Sequence, residues 1–181
     1  TNIPYLKKIG KLNRKIILST GMANTREIKN ALKVLTNSGS KRRNISLLHC
    51  NTEYPVKFDN TNLKSIIYLK KKFKLDIGFS DHTEGFEAAL ISVGLGAKII
   101  EKHFTIDKSM KGPDHKASLN GNELVKFVSI LKDAKKSLGK AVKTPSKKEL
   151  QNARYIRKNI VAKENILKGQ KFSENNLTTK R

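Results

Sequence analysis

LDIGFSDHT, residues 75–83, runs from apolar residues into an Asp and a His, and KIIEKHF, residues 98–104, carries a second apolar run into another His. Both runs are short and rich in Ile, Leu and Phe, which reads as two buried strands. The step from His82 to His103 is one short β-loop-α-loop unit. RKIILST (14–20) and ISLLHC (45–50) read the same way, and the strand endings at Ser19, Cys50, Ser80 and His103 fall about thirty residues apart. That is the length of a repeating β/α unit and points to a parallel sheet.

The intervening segments carry helix signals. NTREIKNALKVLTNSG can be capped by Asn24 or Thr25 and closed by Gly39. NGNELVKFVSILKDAKKSLG, residues 120–139, can be capped by Asn120 and places Leu124, Val128 and Leu131 on one face. IPYLKKIGKLN has the look of a helix leading into the first strand. The expected fold class is therefore α/β with repeated β/α units.

In such folds, open or closed into a barrel, chemistry gathers at the carboxyl ends of the strands. The unusual polar residues of this chain are all there. Ser19-Thr20-Gly21, His49 with Cys50-Asn51-Thr52, Ser80-Asp81-His82 and Glu101-Lys102-His103 stand at or just past strand ends, followed by the loop KGPDHKAS (111–118) with His115. One such histidine alone reads as a structural, hydrogen-bonded residue; four in one plane of a repeated fold read as a site. Neighbouring parallel strands lie about 4.8 Å apart, so His82 and His103 at matching heights could share one metal ion. Water, a carboxylate such as Asp81 or Glu101, or substrate would complete the shell and leave the open positions of a Lewis-acid site. Glu101 reads either as support for a metal-bound His or as the salt-bridge partner of Lys102.

Composition bounds the alternatives. With 181 residues, 37% of them hydrophobic, the chain can build one ordinary core. No run approaches the roughly 18–20 apolar residues of a membrane span, and TNIPYLKKIG lacks the features of a signal peptide. The single Cys50 permits neither an internal disulfide nor a cysteine metal cluster, and a cytoplasmic location is expected. The net charge of +23 raises nucleic-acid binding, but the Lys residues are dispersed along the chain and there is no Trp to stack on bases. A solvated Lys-rich surface is the plainer reading, and it also favours small anionic substrates.

The pattern changes after Gly139. Residues 140–156, with Pro145 and several Lys, read as a linker; residues 157–181 read as a short strand, a Lys-Gly turn and a polar ending that cannot form a core alone. Thr1 stands where a start methionine would, and about four β/α units are present where a closed barrel needs eight. A piece of a longer protein is expected.

In order along the chain, IILSTGM, LLHCNTEYP, GFSDHT, IEKHFT, GPDHKASL and VAKENILKGQKFSENNLTTKR resemble the sialic acid synthases and their legionaminic acid relatives. The resemblance spans nearly the whole chain. It implies the C-terminal half of a TIM barrel over residues 1–139 and, from 157, the start of the small antifreeze-like SAF domain. It implies condensation of phosphoenolpyruvate with N-acetylmannosamine or a related diacetamido hexose, and protomers paired by domain exchange as homodimers. It gives His82 and His103 as ligands of a divalent metal, manganese in the family, with magnesium or cobalt as alternatives. Ser19, Thr52 and Ser80 are implied as phosphoenolpyruvate contacts, with Thr52 at a position that is Asn in the family. Tyr54 and Asp114 would hold the amino sugar, and Arg181 would reach across the dimer to its N-acetyl group. The family's catalytic Glu and phosphate-binding Lys residues would lie upstream, so this chain alone is expected to be inactive. A metal-dependent aldolase or isomerase on the same barrel, and a basic nucleic-acid-binding module, are the alternatives.

Overall fold

The computed structural model describes residues 2–181. The chain divides into two compact units, Thr1–Gly139 and Lys140–Arg181.

The first unit opens with α1 (Ile3–Lys11), followed by β1 (Ile16–Ser19), α2 (Thr25–Asn37), β2 (Ile45–Cys50), α3 (Ser65–Phe73), β3 (Asp76–Asp81), α4 (Glu87–Gly94), β4 (Ile100–Lys102) and α5 (Gly121–Ser137). Local sequence sets the helix starts. Asn24 and Glu27 form a reciprocal capping box on α2, and Asn120 with Glu123 forms another on α5, each satisfying amides that the first helical turn leaves free. After α2 the chain leaves through Gly39 at φ +121°, a conformation that only glycine adopts without strain.

The four strands are parallel and lie in sequence order, β1-β2-β3-β4. Pleating sends alternate residues to opposite faces. One face, with Leu47, Ile77 and Phe79, packs into a single core with Ile28, Leu32 and Leu35 of α2, Ile66, Leu69 and Phe73 of α3, and Ala88 of α4. Ile16 and Leu18 of β1 join the same core. A smaller cluster of Ala89, Leu119 and Phe127 seats α5. On α5 the residue that is buried is Phe127, while Val128 is 40% exposed; Leu124 and Leu131 pack beside the cluster as their spacing predicts. Sequential strand order with the helices on one face is the arrangement of a singly wound barrel and not of a doubly wound sheet, which carries helices on both faces. The first unit is a parallel half-barrel.

The opposite face takes the other parity. Ile17 on β1 is 56% exposed. Where this face is close-packed, it is between strands: a Cβ on Gly78 would fall 2.5 Å from Leu48 Cδ2, so glycine lets the β2 side chain lie across β3.

The second unit contains α6 (Lys147–Ile156) and an antiparallel pair, β5 (Asn159–Ala162) with β6 (Leu177–Lys180). The stretch that reads as a linker thus holds a ten-residue helix. Ser146 caps it and Glu149 closes the box, a signal that the surrounding Lys and Pro residues mask. No residue of α6 is buried, and the only buried residue of the unit is Asn176, whose side chain accepts from Ser173 N and donates to Lys171 O.

Candidate metal and anion site

The face of the sheet free of helices gathers Ser19, Cys50, Ser80 and Glu101, and just past the strand ends His82 and His103. Register makes this so. Cys50 is the β-partner of Ser80, and Ser80 of Glu101, so their side chains share one face across three strands.

The two histidine rings meet edge-on with centroids 5.1 Å apart. His82 Nδ1 donates to the carbonyl of Asn51 at 2.7 Å. In the neutral ring this fixes the tautomer and leaves a lone pair on Nε2. The nearest donor to that lone pair is Ser80 Oγ at 3.3 Å, but the Ser80 hydroxyl donates to Glu101 Oε1 at 2.6 Å, and one hydrogen cannot serve both. His82 therefore offers a free imidazole nitrogen, held by a backbone carbonyl on its other side as metal-binding histidines are. His103 Nδ1 stands 3.8 Å from Asp114 Oδ2, too far for a hydrogen bond. Among the described residues no group of three or more His, Cys, Asp or Glu side chains is placed to hold a metal. The donor set fits a divalent ion bound by two imidazoles, with other positions left to water or substrate.

Tyr54 packs at a tilt against both rings, its centroid 4.3 Å from that of His82 and 5.5 Å from that of His103. Tyr54, His82, His103 and Asp114 line one crevice with Asp81, Thr83, Lys102 and Ala117. Ser19 and Thr52 line a separate, larger cavity with Gly21 and Met22 at the end of β1. Cys50 joins the two regions: its Sγ accepts from Gly21 N at 3.0 Å, and it neighbours Ser80. Arg181 follows β6 at the end of the second unit and is exposed.

Several residues near strand ends offer the site no free polar group. His49 has the parity of Leu47 and faces the helices. Its Nε2 donates to Thr61 O at 2.7 Å, and its ring stacks on Phe79. Burial holds its pKa below the usual histidine value, against the opposing pull of the Thr61 carbonyl. His115 has its Nδ1 2.7 Å from Thr105 Oγ1, tying down the loop instead of joining the other rings. Asp81 cannot complete a metal shell, because it too lies on the helix face, fully buried, with Oδ1 bound to Thr83 N and Oγ1 and Oδ2 bound to Lys102 Nζ at 2.9 Å. Lys102 thus pairs with Asp81, and Glu101 with Ser80. The motifs drew attention to these positions; counting pleat parity outward from Leu47 and Phe79 separates His49 and Asp81 from Ser80 and His82, while His115 lies in a loop beyond the strands.

Residues 1–143 match the NeuB family. The chain belongs to this family, that of the sialic acid synthases. It is 58% identical over its whole length to N,N'-diacetyllegionaminic acid synthase of Campylobacter jejuni, covering 54% of that protein. The protein of the same name from Legionella pneumophila is 37% identical over 98% of the chain, with 50% of its own length covered. Among solved structures, an N-acetylneuraminic acid synthetase from Leptospira borgpetersenii, in complex with citrate, superposes with a TM-score of 0.76 at 36% identity, covering 85% of this chain and 53% of that one. The chain spans about half the length of the curated relatives it matches.

Proposed function

We propose that this chain is the C-terminal half of the barrel of a nonulosonic acid synthase, which condenses phosphoenolpyruvate with an N-acetylated hexosamine and releases phosphate. The observation that carries this reading is the His82–His103 pair, 5.1 Å apart with a free nitrogen on His82, at the strand ends of a NeuB-family half-barrel. His82 and His103 would hold a divalent ion, manganese in preference to magnesium or cobalt. When bound, such an ion supplies Lewis acidity toward the carbonyl oxygen of the open-chain sugar.

The other residues bind and orient. Ser19 and Thr52 offer hydroxyl donors to the phosphate or carboxylate of phosphoenolpyruvate, in a protein whose +23 net charge favours anionic substrates. Ser80 joins them when its hydroxyl turns from Glu101 to substrate. Tyr54 presents an aromatic face beside both histidines and Asp114 a carboxylate acceptor, a pairing suited to the apolar face and hydroxyls of a sugar. Holding both substrates over one set of strand ends converts an encounter of two molecules into a positioned reaction. The acceptor we favour is a diacetamido hexose, since the relative at 58% identity is an N,N'-diacetyllegionaminic acid synthase. In the intact protein residues 157–181 would begin a SAF domain, with Arg181 contacting the sugar's N-acetyl group across a domain-exchanged homodimer in the cytoplasm. The remaining catalytic groups would come from outside this chain, which alone would be inactive.

The test is phosphate release by the intact protein from phosphoenolpyruvate, with manganese present, in paired reactions with N-acetylmannosamine and a diacetamido hexose. Release that depends on sugar and metal supports the reading. Aldol cleavage or isomerisation of a sugar without phosphoenolpyruvate would replace it with the aldolase or isomerase alternative.

A further inference from the structure

The residue immediately before each candidate metal ligand is charged, and the two charges are paired with each other at the root of the crevice. Asp81 and Lys102 are register partners across β3 and β4 and meet at 2.9 Å, with side chains 0% and 4% exposed respectively. Beyond this bond, Asp81 Oδ1 takes both the amide of Thr83 at 2.9 Å and its hydroxyl at 2.7 Å, and Lys102 Nζ donates to the Thr83 carbonyl. His82 is therefore the middle residue of a three-residue segment clamped at both ends. Its own carbonyl accepts from Val56 N at 3.0 Å, and its imidazole rests on Asn51 O.

A buried ion pair is a poor source of stability, because desolvating both charges offsets their attraction; its best-attested use is to fix registry. Registry is what a site split between two strands requires, since a slip of one residue turns every side chain of a strand to the other face. On β4 that slip would bring Lys102 to the open face and carry His103 to the helix side.

We propose that the Asp81–Lys102 pair, with Thr83, is a positioning device that locks the register of β3 against β4 and thereby the orientation and tautomer of His82 facing His103. All three border the crevice of the two histidines, but the Asp81 and Lys102 side chains are bound to each other and to Thr83, so the role assigned to them is positioning. The part of the inference that concerns metal affinity rests on the proposed function; the part that concerns the His82 ring does not.

The experiment uses the intact protein and three variants. Removing one charge alone leaves the other buried and unfolds too much to interpret, so both are replaced together, D81L/K102M, which restores an apolar filling. Thr83→Val removes one donor to Asp81 while keeping the fold, and Lys102→Arg keeps the charge. In the metal-free protein, imidazole nitrogen NMR should show His82 as the Nδ1–H tautomer with a slowly exchanging proton. D81L/K102M should keep a melting temperature near wild type yet lose this signature, Thr83→Val should weaken it, and Lys102→Arg should retain it. Manganese dissociation constants should rise ten- to hundredfold in D81L/K102M, the range expected when support of a ligand is lost, and less in Thr83→Val. Wild-type imidazole signals in both D81L/K102M and Thr83→Val would overturn the proposal, as would unchanged manganese affinity in D81L/K102M if wild type binds the ion. Should D81L/K102M not fold, Thr83→Val decides alone. Should wild type not bind manganese, the metal reading falls and the imidazole signal decides the positioning role.

Discussion

The two faces of the four-stranded sheet are built from the same residues in alternation and do opposite work. The helix face holds Leu47, Ile77 and Phe79, each no more than 1% exposed, and its polar members are partnered within the protein: His49 with Thr61, Asp81 with Lys102 and Thr83. The other face holds Ser19, Ser80, Glu101 and both site histidines, with a free imidazole nitrogen and an exposed Ile17. Polar groups that are satisfied inside the protein cannot engage a ligand; those left partly unsatisfied can. The strands thus divide stability and chemistry by parity, one residue at a time.

That division can be broken most severely from the helix side. Phe79→Ala should cost about 3–5 kcal/mol in urea unfolding, because it opens a cavity in the main core; a loss under about 1 kcal/mol would mean that this face is not the stabilising one. On the open face, His82→Ala or His103→Ala should weaken manganese binding by more than the ten- to hundredfold expected from loss of a supporting group, with stability changed by less than about 1 kcal/mol. Equal losses of affinity and stability would make both histidines structural.

His49 sharpens the comparison through pH. Its folded pKa is lowered, so as pH falls through the unfolded value of 6.5, the unfolded chain takes up a proton that the folded chain does not. Stability should therefore be full above that pH and decline below it toward the lowered folded pKa, at no more than about 1.4 kcal/mol per pH unit. In His49→Gln this part of the acid-side slope should vanish in unfolding curves measured at several pH values; an unchanged slope would assign it to other groups. The smallest effect is expected at Ile17→Ser, within about 0.5 kcal/mol in the 181-residue chain. A loss of 1 kcal/mol or more for the same change in the intact protein would show this face covered there.

Much of this was legible in the sequence, and for physical reasons. Strand runs and caps are local, so RKIILST, ISLLHC, LDIGFS and KIIEKHF announced four strands, and Asn24 and Asn120 announced two helix starts. The meeting of His82 with His103 followed from their shared place at neighbouring strand ends. What stayed hidden needs three-dimensional facts. His49 read as a site residue because strand-end position was counted and pleat parity was not. The partners of Asp81 and Glu101 depend on a register that no single strand specifies. Phe127, not Val128, anchors α5: both fit the stripe of Leu124 and Leu131, at i+3 and i+4, and only the contact with Ala89 and Leu119 chooses between them. And α6 hid in a Lys-rich stretch because its cap was present without an apolar face buried against a core.

The loop that carries Asp114 is sealed at its root. Phe104 and Leu119 form a parallel bridge, Thr105 N donates to Leu119 O and Leu119 N to His103 O, both at 2.9 Å, and Thr105 and Ser118 are buried at the two ends. Such a root makes the loop an exchangeable cassette. Residues beyond that root could be rewritten while His103 keeps its place; under the function proposed above, a lineage would then change what it recognises without rebuilding the strand ends.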